Sequence, residues 1–211
     1  MSGFTGRCPN CGAPVTFTWS SAVQTVCAHC RSVVVRHDVN LSAMGIMSDL
    51  PIDSSPIQLG TEGRFDDKPF TVIGRLVYEY ENGGWNEWHL AFAGGGSGWL
   101  SDAQAEYAVT ALETTKRTLP PAGQADLGWR LELEHGPLQV TTLTRARYVG
   151  FEGELPFAYE VTGEVLFADL RGAADVFATI DYSETPPLLF VGRFVEYDDL
   201  ALRNVRQFEG W

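Results

Sequence analysis

The stretch F-D-D-K-P-F-T-V-I-G-R-L-V-Y-E-Y-E-N-G-G-W-N-E-W-H-L-A-F-A-G-G-G-S-G-W-L, residues 65–100, decides the fold class. From Phe70 the apolar residues alternate. Phe70, Val72, Leu76, Tyr78 and Tyr80 fall on one face and Thr71, Arg75 and Glu79 on the other, the pattern of a half-buried strand. Asn82-Gly83-Gly84 turns the chain. Trp88, Leu90 and Phe92 then point one way and Glu87, His89 and Ala91 the other, and the glycines of 94–98 break the chain again before Trp99-Leu100. This is an antiparallel sheet. It predicts Trp88 and Leu90 buried, with Glu87 and His89 on the more exposed face.

Downstream, Ser101-Asp102-Ala103-Gln104 has the form of a helix-opening capping box, so one helical turn and then a strand are expected. Residues 114–127, with Pro120, Pro121 and Gly123, read as a loop. Trp129, Leu131 and Leu133 alternate with Arg130, Glu132 and Glu134, and strands are expected over 138–143, 146–151, 159–167, 176–182, 188–197 and 200–208. So many short strands between turn residues predict a mainly β fold, an antiparallel β-sandwich or a barrel-like domain. A weak echo of Phe65, Pro69, Phe70 and Gly74 in Phe151, Pro156, Phe157 and Gly163, and of 87–92 in 175–180, suggests two related sheet halves.

Upstream lies every cysteine of the chain: Cys8 and Cys11 in C-P-N-C-G, Cys27 and Cys30 in C-A-H-C-R. Zinc takes four soft ligands in a tetrahedron, and each C-x-x-C turn places two thiolates on one side of an ion. The competing readings are weaker. Two disulfides need an oxidising compartment, and a redox C-x-x-C needs to open a helix in a βαβ unit. The segment from Arg7 to Arg36 resembles a zinc ribbon, with a hairpin expected between 15–19 and 24–26 around Ser20-Ser21. Four thiolates close the coordination shell, which implies a structural zinc, with His29 an exposed loop residue. Residues 1–40 are therefore read as the ribbon, 41–56 as an aperiodic connector whose Met44, Ile46, Met47 and Leu50 pack in part along the body, and 57–211 as the β domain.

At 211 residues with 45% hydrophobic and 20% charged content, the chain has the composition of a cored protein. No apolar run approaches the roughly 20 residues of a membrane helix, and the first residues lack a secretory signal, so a cytoplasmic protein without a membrane span is expected. The net charge is −12; residues 1–40 carry +2, leaving −14 on the remainder. Such a body repels phosphate backbones and makes nucleic acid an unfavourable partner. It suits a protein partner or a polycationic ligand, with Asp66, Asp67, Glu79, Glu81, Asp198 and Asp199 as candidate contacts.

The body also resembles the bacterial domain of unknown function 4178. The resemblance rests on Leu59-Gly60 with Gly63, Phe70-x-Val72-Ile73-Gly74, Trp85-Asn86-Glu87-Trp88, Gly98-Trp99-Leu100, Gly153-Glu154-Leu155-Pro156 and Gly163-Glu164. It implies a β domain commonly preceded by a zinc-ribbon-like segment, and genes lying near those for spermidine-synthase-like aminopropyltransferases and membrane-stress proteins. It implies no catalytic residues.

Motifs for chemistry are sparse. Ser97 lacks the final glycine of G-x-S-x-G, and the surrounding glycines form no phosphate loop. Glu87 with His89, or His135, is what remains for proton transfer in a small-molecule-processing enzyme. Trp85, Trp88 and Trp99 suit either a core or a cage for an ammonium group. With no complete catalytic set, the expectation is a zinc-binding, non-enzymatic interaction or scaffold protein.

Overall fold

The computed structural model describes residues 3–38, 40–47, 50, 53–134, 136–158 and 163–208. Among them the regular structure is fifteen strands and two 3-10 turns, with no α-helix. The mainly β expectation holds.

Each C-x-x-C turn closes its own hairpin. β1 (Phe4–Arg7) pairs with β2 (Pro14–Phe17) across the first, and β3 (Gln24–Val26) with β4 (Ser32–His37) across the second. The hairpin expected between 15–19 and 24–26 is therefore not formed, because each strand is claimed by the partner beyond its own cysteine turn. β5 (Asn40–Ile46) extends this sheet alongside β4, in a stretch where no period is visible in the sequence. Further along that segment Met47 packs against the body core, and an added carbon at Gly150 would strike Leu50 at 2.7 Å.

The body begins with β6 (Glu62–Phe65), β7 (Lys68–Tyr80), β8 (Gly83–Phe92), β9 (Ser97–Ala103) and β10 (Glu106–Leu112), a continuous antiparallel meander. A second meander follows: β11 (Arg130–Leu133), β12 (Gly136–Leu155), β13 (Glu164–Arg171), β14 (Val176–Asp181) and β15 (Leu188–Val195). β10 pairs with β15 and β12 with β7, both antiparallel. The eight strands β7–β10 and β12–β15 thus close into a barrel, which leaves none of them an open edge.

The two meanders are copies of one pattern. Gly60 and Gly128, 68 positions apart, both sit at positive φ (81° and 86°) and donate to the carbonyls of Val72 and Val140, which lie at the same spacing. Pro69 and Pro137 repeat it again, and bulges fall at Val72/Gly74 and Val140/Thr142. Beyond these strands the spacing becomes 80: Leu90↔Gly98 recurs as Leu170↔Ala178, and Leu100↔Val109 as Ile180↔Leu189. The two seams of the barrel include Ala111↔Val191 and Glu79↔Arg147, pairs that obey those spacings themselves. An approximate two-fold axis follows. Two related halves are what the sequence suggested, but the echo of Phe65 in Phe151 and of 87–92 in 175–180 matched the wrong residues.

Three further expectations are corrected. Ser101 does not cap a helix: its side chain points inward from β9 to Glu87, and Gln104 and Ala105, both at positive φ, turn β9 directly into β10. Residues 138–155 run as one bent strand. Residues 200–208 hold no strand but a 3-10 turn, Asp198–Leu200, and a single bridge from Arg203 to Glu62.

Period two on a closed barrel separates an inner face from an outer one. The outer faces are buried too. Trp88, Leu90, Leu100 and Val109 pack beneath Ile57, Leu200 and Leu202, whereas Leu138, Val140, Leu170 and Ile180 pack beneath Leu119, Trp129 and Leu133.

Candidate functional site

The four cysteine sulfurs all lie within 4.8 Å of one another, with Cys8–Cys30 at 3.6 Å and Cys11–Cys27 at 3.8 Å. A tetrahedral ion with sulfurs at about 2.3 Å needs them about 3.8 Å apart, so the donor set fits one metal ion. The two turns have the same build. Cys8 and Cys27 donate their amides to Ala13 and Ser32 and accept from Gly12 and Arg31, both at positive φ. Ser32, through its hydroxyl and amide, lowers the Cys30 thiol to about 6, and the Asn10 amide points at the same sulfur from 3.7 Å. Deprotonation toward a metal is thereby favoured at that ligand.

The ribbon is fastened to the barrel at the far end of β12. β3 pairs there with Glu154 and Leu155, and the Glu154 carboxylate accepts from Thr18 N at 2.6 Å, Thr18 Oγ1 at 2.7 Å and Trp19 N at 2.9 Å. Trp19 lies edge-on to His89, which stacks on Trp99, both at 4.9 Å between centroids.

His89 is fully buried, which corrects the expected exposure; Trp88 and Leu90 are buried as expected. The cause is barrel closure: the face read as solvent-facing is the inner one. His89 donates from Nδ1 to the Glu154 carbonyl at 2.9 Å, its Nε2 has no partner, and burial lowers its pKa to about 4. It is a neutral packing residue. Glu87 instead lines the barrel lumen, so the two do not share a proton-transfer site there. His135 lies outside the described residues.

The lumen is the second site, one that the sequence did not reveal. Inward residues from all eight barrel strands enclose a cavity of about 1010 Å³, at the upper end of the range for small-molecule sites. Its walls are aromatic: Tyr78 stacks on Trp85 at 5.0 Å, Phe167 meets both edge-on, and Trp99, Phe177 and Phe190 complete them. Of the tryptophans proposed for a cage, Trp85 and Trp99 are there, while Trp88 faces outward under the Arg75 guanidinium at 4.8 Å.

Set into these walls are Glu87, Asp169 and Asp181. Burial pushes Glu87 up to about 8, against the donors Ser101 (2.8 and 2.9 Å) and Trp85 Nε1 (2.9 Å); Asp169 and Asp181 add repulsion. Burial also raises Asp169 to about 6 and shifts Asp181 upward. Arg171 is the one basic residue among the described lining. It is engaged by Glu106 at 3.1 Å and lies over the Phe194 ring.

Three of the six acidic residues named as candidate contacts are in ion pairs. Asp66 pairs with Arg193, Glu79 with Arg147 and Asp67 with Arg64. Among the described residues no helix is long and apolar enough to cross a membrane.

Fold and site together define a closed, duplicated antiparallel β-barrel with an internal cavity and a docked four-cysteine module. Residues 58–197, which span both meanders, match the family described as domain of unknown function (DUF4178), and the chain belongs to it. No curated protein and no solved structure matches the chain.

Proposed function

We propose that the protein is a non-enzymatic binding module whose barrel lumen holds one small organic ligand, and whose ribbon holds a structural zinc through Cys8, Cys11, Cys27 and Cys30. The observation that carries this reading is the lumen. A closed barrel normally fills its interior with side chains, and here eight strands leave a large space lined by aromatic rings and by polar and acidic side chains. Binding is favoured over catalysis because the one histidine near the lumen among the described residues is sealed between two tryptophans. When bound, zinc would cross-link the two cysteine hairpins and supply folding free energy to a segment with little core of its own.

The test is titration with N-phenyl-1-naphthylamine, a neutral probe that brightens in apolar surroundings, alongside metal analysis. Saturation at one probe per chain is expected, weakened by Thr144→Phe, which narrows the lumen, together with one zinc per chain. Absence of saturable binding by a folded protein would leave the lumen an unused void.

A further inference from the structure

We propose that the ligand of this lumen is an organic cation, an ammonium group carried on an apolar body. The inference rests on the binding reading above and adds the charge of the ligand to it. Five lining residues are acidic (Glu87, Glu106, Asp169, Asp181 and Glu184) against the single Arg171. Arg171 is satisfied by Glu106, which removes that pair from the count. The three deep carboxylates are held mainly by hydrogen-bond donors, Ser101 and Trp85 at Glu87, Thr179 at Asp169 and Ser183 at Asp181, and only Asp169 also feels the Arg171 charge.

Three half-buried carboxylates lining one cavity repel one another and are costly to ionise. A barrel that needed only an apolar interior would gain by replacing them. A cation entering the lumen reverses this cost, since it supplies the missing counter-charge in a place of low dielectric, where ion pairing is strong. The rings around them serve the same ligand. Tyr78, Trp85 and Phe167 present π faces and edges within 5.0 to 5.4 Å of one another, a surface that attracts an ammonium group electrostatically and its hydrocarbon part by burial. An anion meets only repulsion here. A neutral apolar molecule gains the walls but leaves the carboxylates as they were.

The placement of the acids gives the ligand a direction. By the two-fold correspondence Glu87 faces the position of Phe167, Asp169 that of His89 and Asp181 that of Ser101. No acid has an acid as its counterpart, so the lumen is chemically lopsided although its backbone is symmetric. It suits a molecule with a charged head and an uncharged tail.

Cation entry should also displace a proton. Glu87, raised to about 8, is mostly protonated in the empty lumen near neutrality, and the incoming charge favours its ionised form. Affinity therefore rises with pH between about 6 and 8.5, below the titration of a simple amine at roughly 10.

The experiment compares three probes of equal length, n-hexylamine, 1-hexanol and hexanoate, by calorimetry and by displacement of N-phenyl-1-naphthylamine. Hexylammonium is expected to bind at least about tenfold tighter than hexanol, and hexanoate weakest. Glu87→Gln and Asp169→Asn should each reduce hexylammonium binding about tenfold while leaving hexanol unchanged, and Glu87→Gln should flatten the pH dependence. The naphthylamine probe, retained by both variants, reports that the barrel is intact. If hexanol and hexylammonium bind equally, the lumen is a binding site but not for cations. If neither they nor the naphthylamine bind, the binding reading falls as well.

Discussion

The two halves of the barrel share a backbone and differ in what they put on it. β6–β10 and β11–β15 repeat the same glycine at positive φ, the same proline and the same bulge, and meet at two seams that respect the repeat. Side chains at equivalent positions are nevertheless unlike: Trp88 answers to Ala168, Glu87 to Phe167, Trp99 to Thr179. Backbone geometry in a barrel is fixed by strand number, register and a few special torsions, so it tolerates such divergence. The chemistry of the lumen is then free to become one-sided.

The largest expected effect tests this at the outer face. Trp88 is fully buried with Leu90 and Leu100, and its counterpart Ala168 is equally buried in the other half. Trp88→Ala should cost about 3–5 kcal/mol, the range for removing a buried aromatic. Ala168→Leu should cost less, about 1–3 kcal/mol, through overpacking. Chemical denaturation measures both. A loss under about 1 kcal/mol for Trp88→Ala would mean that the half it anchors is packed by other residues.

The next effect reads the inner face through pH. The native Glu87 carboxyl keeps its proton up to about 8, while an unfolded chain releases it near the ordinary 4.5. Native protein therefore binds more protons than unfolded protein across that interval, and stability falls as pH rises through it, by up to about 1.4 kcal/mol per unit. Asp169 and Asp181 act in the same direction. Glu87→Gln should remove part of the slope and, at pH 8, gain roughly 3 kcal/mol, whereas Phe167→Leu at the equivalent position should shift stability without changing the slope. Identical slopes for wild type and Glu87→Gln would show that this carboxylate is well solvated.

How much of this was legible beforehand follows from what period two encodes. Alternation in β8 correctly grouped Trp88 with Leu90 and Glu87 with His89, but in β7 the bulge after Val72 breaks the expected single face, leaving Phe70 and Val72 outside and Leu76, Tyr78 and Tyr80 inside. It cannot say which face is inside a barrel, and because segments 57–62 and 197–202 cover the outer face, both groups are buried. The cysteine site was legible because metal ligation needs fixed residue types at fixed spacing. The duplication was not, since what the halves share is torsion and register: Gly60 and Gly128 or Pro69 and Pro137 are too few to stand out, and the spacing changes from 68 to 80 midway. Aromatic and proline coincidences such as Phe151 with Pro156 were more conspicuous and misleading.

That change of spacing marks the clearest break in the symmetry. β7 ends at Tyr80, whereas β12 runs on past its equivalent, Tyr148, to Leu155; residues 150–153 pair with β7 across the barrel seam, and only the last two residues, Glu154 and Leu155, pair with the ribbon strand β3. If the ribbon hangs on that end of β12 alone, weakening its hold should loosen the ribbon and spare the barrel. Glu154 is the residue to change, because it is buried and its carboxylate accepts three hydrogen bonds from Thr18 and Trp19. Glu154→Ala leaves those donors without partners, a cost of about 1–3 kcal/mol, which corresponds to roughly 5- to 150-fold in a local opening equilibrium. Hydrogen exchange is the measurement. Amides of β3 and of Glu154 and Leu155 should exchange faster by that factor, and removal of metal by a chelator should accelerate the same amides further. Amides of β13, β14 and β15, paired only within the barrel, should keep their wild-type protection. Equal acceleration in those three strands would mean that ribbon and barrel open as one cooperative unit.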